Sequence, residues 1–309
     1  MRKSLLVLSS VLSGIVFIVI VIGNVVIVAQ TAITGEWTAD MRSEKQGNDG
    51  KIHLSFERNT GKEHHNQFGS SFDLSDLQGL SREQTQNGKV SFRLVREAGT
   101  VECEGTFLNG KGSGTFRFTP DSGYLNAMRS RGFDFEKSGS KSDESAEEKQ
   151  FSAALLNVTT ALADDLKSAD FGPLDVDDLF KAAIFKVDSK FMAEMKATGF
   201  PDLKMEDLVK ARIFKIDADY VRQVHDMGFA DKADFEGLVK FRIFKVTPEF
   251  LSALKAEGFT NLSSEEVVKF SIFKIDPEFI RKAKAENPNV TVEDMVQMKI
   301  GVYRKKGTD

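Results

Sequence analysis

The tripeptide Ile-Phe-Lys occurs four times in the second half of the chain, at residues 184–186, 213–215, 243–245 and 272–274. Successive copies lie 29, 30 and 29 residues apart, and the residues around them are similar as well. A fixed period of this length is typical of units that stack on their neighbours, because one small unit cannot bury its apolar face alone. The pattern predicts an α-helical repeat array over residues 151–309. A degenerate copy from Val158 and a half copy from Asp294 are expected to cap its ends.

Each unit of about 29 residues reads as a helix-turn-helix. Helix N-caps favour Ser, Thr, Asp and Asn, and such residues precede most of the helical segments. The predicted N-caps are Asp175, Asp234, Ser263 and Thr291 for the first helix, and Asp188, Asp217, Thr247 and Asp276 for the second. The second helix is predicted to stop at a glycine followed by an aromatic residue, at Gly199, Gly228 and Gly258. The phenylalanine of each Ile-Phe-Lys copy is expected in the shared core.

Residues 33–133 carry a different pattern, in which apolar and polar residues alternate. Ile52, Leu54 and Phe56, for example, are separated by polar residues. This alternation predicts half-buried strands, and about six such segments predict a small antiparallel β sandwich or barrel. A terminal helix is expected over residues 119–133. The predicted fold class is therefore α+β, with several domains.

The β domain and the repeat array are predicted to be joined by a linker at residues 134–150. This segment is rich in Ser, Lys and Glu and contains almost no large apolar residue after Phe135. Segments of that composition bury too little apolar surface to fold by themselves.

The N-terminal segment is the most apolar part of the chain, with no charged residue from Leu5 to Ala29. A helix of about 20 apolar residues crosses a bilayer core, whereas a cleavable signal peptide has an apolar region of about 7 to 15 residues. Residues 1–30 are therefore predicted to be a signal anchor, a transmembrane helix that spans the membrane with residues 5–29; a cleaved signal peptide is the alternative. Basic residues before the span predict that the body of the protein is periplasmic or otherwise extracytoplasmic.

Composition argues against several classes of function. Acidic and basic residues are interspersed and nearly balanced, with a net charge of -4, so nucleic acid is not an expected partner. One cysteine and four histidines favour neither a disulfide framework nor a zinc site. Residues 105–112 resemble a phosphate-binding loop, but Gly112 stands where Ser or Thr is required, and Asn109-Gly110 is typical of a primed hairpin turn. We therefore predict a protein without catalytic residues, cofactor or metal ion.

Basic residues recur with the repeat and are the candidate contact residues of the array. They are Lys186, Lys215, Lys245 and Lys274, joined by Arg212 and Arg242. Equivalent positions in stacked units form rows, so these side chains are candidates to face an acidic partner or anionic lipid heads. The alternative is a structural role, since basic residues near a helix C-terminus complement the helix dipole.

Two stretches of the sequence resemble a bacterial extracytoplasmic module. They are the β segments GEWTADM, KIHLSFER, SFDLSDLQGLS and VSFRLVREAGTVECEGTFLNGKGSGTFRFTP, and repeats of the type IFKVTPEFLSALKAEGF. The module is found downstream of the peptidase domain in some proteins related to the β-lactam-sensor antirepressor family of membrane metallopeptidases. The resemblance covers most of the chain after residue 33. Because the chain has a single expected span and no zinc-peptidase motif, the resemblance implies no protease activity.

The expected function is that of a non-enzymatic, membrane-anchored interaction or regulatory protein whose helical repeats bind a protein partner in the cell envelope. Two alternatives stay open. The β domain is a candidate ligand sensor coupled to the array, which polar residues converging in an apolar pocket would favour. An unrecognised envelope enzyme would be indicated by paired carboxylates with perturbed pKa values in a cleft.

Overall fold

The computed structural model describes residues 21–22, 25–26, 32–41, 50–59, 65–137, 144–200, 202–226 and 235–302. The chain divides into two compact units, Met1–Asp121 and Ser122–Asp309. The described strands belong to the first unit and the described α-helices to the second. The predicted α+β fold class is therefore confirmed.

The predicted membrane helix over residues 5–29 lies mostly outside the described residues. Its four described residues are extended: β1 (Val21–Ile22) pairs antiparallel with β2 (Val25–Val26). Among the helices of the described ranges, none is both long and apolar enough to cross a membrane. A continuous helix over this segment is therefore not supported.

Seven strands of the first unit form one antiparallel sheet that curls into a half-barrel. They are β3 (Ile33–Asp40), β4 (Lys51–Asn59), β5 (His65–Asp73), β6 (Leu77–Gln78), β7 (Asn87–Arg96), β8 (Gly99–Leu108) and β9 (Lys111–Pro120), with a 3-10 turn at Leu74–Asp76. Their order across the sheet is β5-β4-β3-β9-β8-β7-β6. Because the strands described between residues 33 and 120 form one curled sheet rather than two packed sheets, this part of the chain is closer to the predicted barrel than to the predicted sandwich.

The interior of the half-barrel is organised around Trp37, which is fully buried. The indole ring contacts Phe92 and Phe107, with ring centroids 5.2 and 5.7 Å away. Indole Nε1 donates a hydrogen bond of 3.2 Å to the carbonyl of Glu104. Glycine is required beside the ring, since a Cβ on Gly105 would lie 2.6 Å from it. Aromatic rings therefore fill the concave side of the sheet, and glycine leaves the space that these rings need.

Helix pairs recur in the second unit at the period of the sequence repeat. The described helices are α1 (Tyr124–Ser130), α2 (Ala146–Leu156), α3 (Thr160–Ser168), α4 (Val176–Phe185), α5 (Ser189–Lys196), α6 (Met205–Phe214), α7 (Ala218–Asp226), α8 (Phe235–Ile243), α9 (Pro248–Ala256), α10 (Ser264–Ile272), α11 (Pro277–Glu286) and α12 (Val292–Lys299). The even-numbered helices from α2 to α12 pack against one another in chain order. Equivalent residues of these helices are therefore neighbours along one layer.

The predicted helix boundaries are confirmed wherever they fall within the described residues. Each predicted N-cap side chain accepts a backbone N–H of its helix: Asp175, Ser263 and Thr291 in the first helices, and Asp188, Asp217, Thr247 and Asp276 in the second. Gly199 and Gly258 have φ values of 97° and 86°, as a helix stop requires. Asp234 and Gly228 lie outside the described residues.

Helix α1 belongs to the second unit, whereas the sequence-based division placed residues up to 133 with the β domain. The hydroxyl of Tyr124 donates a hydrogen bond of 3.0 Å to the carbonyl of Val158. Its ring also contacts Phe135 at 5.8 Å, and α1 packs against α3. These contacts attach α1 to the helical layer.

The segment predicted as a linker, 134–150, contains the start of a helix. Ser145 and Glu148 form a reciprocal capping box at the beginning of α2, and Phe135 and Lys149 are buried. The polar composition of the segment comes partly from this first helical turn, in which capping and acidic residues are favourable. Residues 138–143 lie outside the described residues.

Candidate functional site

The four Ile-Phe-Lys copies lie where α4, α6, α8 and α10 end. The lysine of each copy has a left-handed backbone, with φ values of 57°, 54°, 55° and 51° for Lys186, Lys215, Lys245 and Lys274. The amide of the next residue donates to the carbonyl five positions before it, as from Ile216 to Ala211 at 2.8 Å. This is the hydrogen bond of a Schellman stop, and the residue that donates it is buried in each unit.

Lysine is an unusual choice at these four positions. A left-handed conformation brings Cβ close to the following carbonyl oxygen and costs about 1 kcal/mol, which glycine avoids. The outer turns of the same layer use the residues that tolerate this backbone, Asn157 with φ 54° and Gly301 with φ 76°. In the four central units, lysine at this position therefore lowers the stability of the fold relative to glycine.

The isoleucine of each copy is half-exposed, although large aliphatic side chains are usually buried. The exposed fractions are 50% for Ile184, 52% for Ile213, 49% for Ile243 and 47% for Ile272. The adjacent phenylalanines, predicted to lie in the core, are only partly covered, and Phe244 is 36% exposed. Each isoleucine comes after the last buried residue of its helix, and its side chain is therefore on the surface.

Together these residues form a row along one edge of the helical layer, which we call the Ile-Lys row. It consists of Ile184, Ile213, Ile243 and Ile272 with Lys186, Lys215, Lys245 and Lys274. Since the helices that carry them pack in chain order, and packed helices lie about 8–10 Å apart, one apolar and one cationic side chain recur at about that interval.

The lysines of the Ile-Lys row are free of ion pairs and side-chain hydrogen bonds to the described residues, unlike a second set of lysines five positions earlier. Lys181 Nζ lies 2.5 Å from Glu206 Oε1 on the next helix of the layer. The same pairing joins Lys210 to Glu236, Lys240 to Glu265 at 3.5 Å and Lys269 to Glu293 at 3.3 Å. The hydrogen bond from Lys181 lowers the pKa of Glu206. The side chains of the second set therefore connect neighbouring units, whereas at the row a backbone carbonyl does so, that of Lys215, which accepts a hydrogen bond of 2.8 Å from Arg242.

The two arginines predicted as contact residues also serve the packing between units. The guanidinium of Arg212 lies 3.7 Å from the ring centroid of Phe191, and that of Arg242 lies 3.5 Å from the centroid of Tyr220. In both cases the ring belongs to the second helix of the preceding unit. Such cation–π contacts stabilise the stack, so the structure separates the six predicted residues into four outward lysines and two packed arginines.

Carboxylates beside the row are already engaged in the fold. Asp188, Asp217 and Asp276 follow two residues after a row lysine. Their oxygens accept backbone N–H groups at 2.7, 2.8 and 2.8 Å as helix caps. Among the described residues, the ammonium groups of the row therefore remain available at this edge for an external anion.

The other candidate motifs do not assemble into a catalytic centre among the described residues. The phosphate-loop-like segment 105–112 is part of the β8–β9 hairpin, whose turn residues Asn109 and Gly110 have φ values of 53° and 80°, as the primed turn predicts. Cys103 is buried, and burial raises its pKa. Within the described ranges, no group of three or more His, Cys, Asp or Glu side chains is placed to hold a metal ion.

A groove on the outer face of the sheet was not anticipated from the sequence. It has a volume of about 670 Å³. Its lining includes Glu36, Glu57, Glu102, Glu104 and Arg117. The groove could not be predicted from the sequence because these residues come from four strands, and only the strand register brings Glu36 opposite Glu57. The sequence shows only that each residue occupies an outward position of its strand.

Comparison with known protein families gives no matching family model. Comparisons with curated proteins and with solved structures give no match either.

Replacing Lys215 with glycine is expected to stabilise the helical unit by up to about 1 kcal/mol, because glycine relieves the left-handed strain. The greater freedom of glycine in the unfolded chain offsets part of this gain. Urea unfolding followed by circular dichroism at 222 nm measures the change. Lys190→Gly, in the exposed part of α5, is the control and should destabilise by about 1 kcal/mol. Equal destabilisation by both changes would contradict the strain argument.

Proposed function

We propose that this chain is a non-enzymatic, membrane-anchored extracytoplasmic interaction or regulatory protein whose helical repeat array binds a protein partner through the Ile-Lys row. The observation that carries the proposal is the row itself. Four half-exposed isoleucines recur at equivalent positions, together with four lysines that form no ion pair with the described residues. Stacked repeats commonly use such extended surfaces for binding.

Two physical arguments support a binding role for the row. Exposed apolar side chains that line up, rather than scatter, are typical of interaction sites. Lysine held in a left-handed backbone is a local strain, and such strain often accompanies functional positions. A purely structural lysine, by contrast, is expected to have a partner such as those of Lys181 and Lys269.

Anchoring and export are supported by the sequence of residues 5–29, which has no charged residue and the length of a bilayer span. The resemblance to the extracytoplasmic module of β-lactam-sensor-related proteins agrees with this location. A ligand-sensing β domain is less favoured, because the inward side chains around Trp37 are buried against one another and fill the half-barrel.

The test is to replace all four row lysines with glycine in the full chain and to identify what copurifies from gently solubilised membranes of the host. Because glycine suits the left-handed backbone, the variant is expected to stay folded, so that loss of a partner reports on the row itself. The matched control replaces four exposed lysines of the second helices, Lys167, Lys190, Lys255 and Lys282, with alanine.

We expect the control to keep its partner and the row variant to lose at least about nine tenths of it, since four charge-assisted contacts are removed. Identical recovery from both variants would show that the row is not the binding surface. Circular dichroism of both proteins provides the check on folding.

A further inference from the structure

The spacing and chemistry of the Ile-Lys row define what its partner must look like. Each unit exposes one aliphatic side chain and one ammonium group, and the equivalent groups of the next unit lie about 8–10 Å away. An extended chain advances about 3.3 Å per residue. Three residues of an extended partner therefore match one unit of the row.

Charge complementarity determines the sign of the partner. The row lysines have no ion pair with the described residues, and the neighbouring aspartates are committed to helix caps. A partner with carboxylates beside these lysines gains charge-assisted hydrogen bonds, whereas a basic partner meets uncompensated repulsion. The half-exposed isoleucines in turn favour an aliphatic side chain at the same interval.

The limited projection of the isoleucines favours a protein segment over a bilayer. About half of the surface of each isoleucine is covered within the fold, so little of it is free to enter the hydrocarbon region of a membrane. A partner chain that lies along the row covers the exposed half without insertion.

We propose that the Ile-Lys row binds an extended, acidic segment of its protein partner that carries an aliphatic residue at every third position. This inference rests on the proposed function and specifies the chemistry of the partner at the same surface. Binding is expected to weaken as salt is added, because the contacts of the lysines are exposed to solvent.

The probe is a fluorescein-labelled peptide of about 15 residues, built from repeats of Glu-Glu-Leu, which spans about 50 Å when extended. Its binding to the full chain in nanodiscs of zwitterionic lipid is followed by fluorescence anisotropy. One control peptide has the same composition with its leucines grouped at one end, and another has Lys in place of Glu.

The proposal predicts at least about tenfold tighter binding of the Glu-Glu-Leu peptide than of either control. Replacing the four row lysines with glycine is expected to weaken it about tenfold or more. The double change Ile213→Ser and Ile243→Ser should weaken it about tenfold while salt dependence is kept.

Equal binding of the grouped or the basic peptide would overturn the proposal, and so would row-dependent binding to phosphatidylglycerol vesicles without peptide binding. The two proposals fail separately. If the glycine variant loses its copurifying partner but the native chain ignores the acidic peptide, the row binds a protein of other chemistry. If the partner is retained, the row is not the surface at all.

Discussion

Replacing Gly114 with alanine is expected to lower the free energy of unfolding of the β unit by about 3 kcal/mol. A Cβ at this position would overlap the carbonyl oxygen of Glu104 and lie 2.6 Å from the Cα of Gly105. Both neighbours are backbone atoms of β8, the strand paired with β9. The clash can be relieved only by separating two central strands, because no flexible side chain is available to move.

The fluorescence of Trp37 is a specific probe for this change, because the chain contains one tryptophan. Its indole lies beside Gly105 and bonds to Glu104, so it reports directly on the disturbed strands during urea unfolding. Ser113→Ala is the matched control: the residue is adjacent in β9, exposed and facing outward, and its substitution should change stability by about 0.5 kcal/mol or less. Similar midpoints for Gly114→Ala and the native chain would refute the close-contact argument.

Replacing Phe241 with alanine is expected to destabilise the helical unit by about 4 kcal/mol. The ring is fully buried in α8, which packs against α6 on one side and α10 on the other. A cavity there weakens two interfaces of the stack at once. Because stacked units are held by contacts with their nearest neighbours, we also expect unfolding to become less cooperative.

Circular dichroism at 222 nm during urea unfolding measures both the midpoint and the steepness of this transition. Phe244→Ala provides the comparison within the same unit, since that residue is 36% exposed and its truncation removes less buried surface. Its effect should be at most about half that of Phe241→Ala. An equal effect of the two substitutions would mean that Phe244 stabilises the stack as much as the buried interior of α8 does, which would contradict the prediction.

Local chemistry made much of the fold predictable. The N-cap side chains and the Asn109-Gly110 turn act within a few residues, so the sequence contains all that is needed to place them. The order of strands was not predictable in this way, because β3 pairs with β9 across the middle of the sheet. The start of α2 was missed because its first turn is polar and resembles a linker in composition.

The sequence predicted which basic residues belong to the candidate site, but not which of them are exposed and which pack between units. The lysines recur at a fixed period, which identified them, but the same pattern included Arg212 and Arg242. Their stacking on Phe191 and Tyr220 depends on how one unit meets the next, and periodicity contains no such information. The isoleucines were missed because a repeated apolar residue is normally interpreted as core.

The Lys–Glu pairs between successive helices have an evolutionary consequence. The first helix of each internal unit pairs one lysine with a glutamate of the next unit and one glutamate with a lysine of the preceding unit. Duplication or deletion of a whole unit therefore keeps a Lys–Glu pair of this kind at the new junction. An array built in this way can lengthen or shorten in steps of one unit, and each step adds or removes one isoleucine and one lysine of the Ile-Lys row without redesign of the junction.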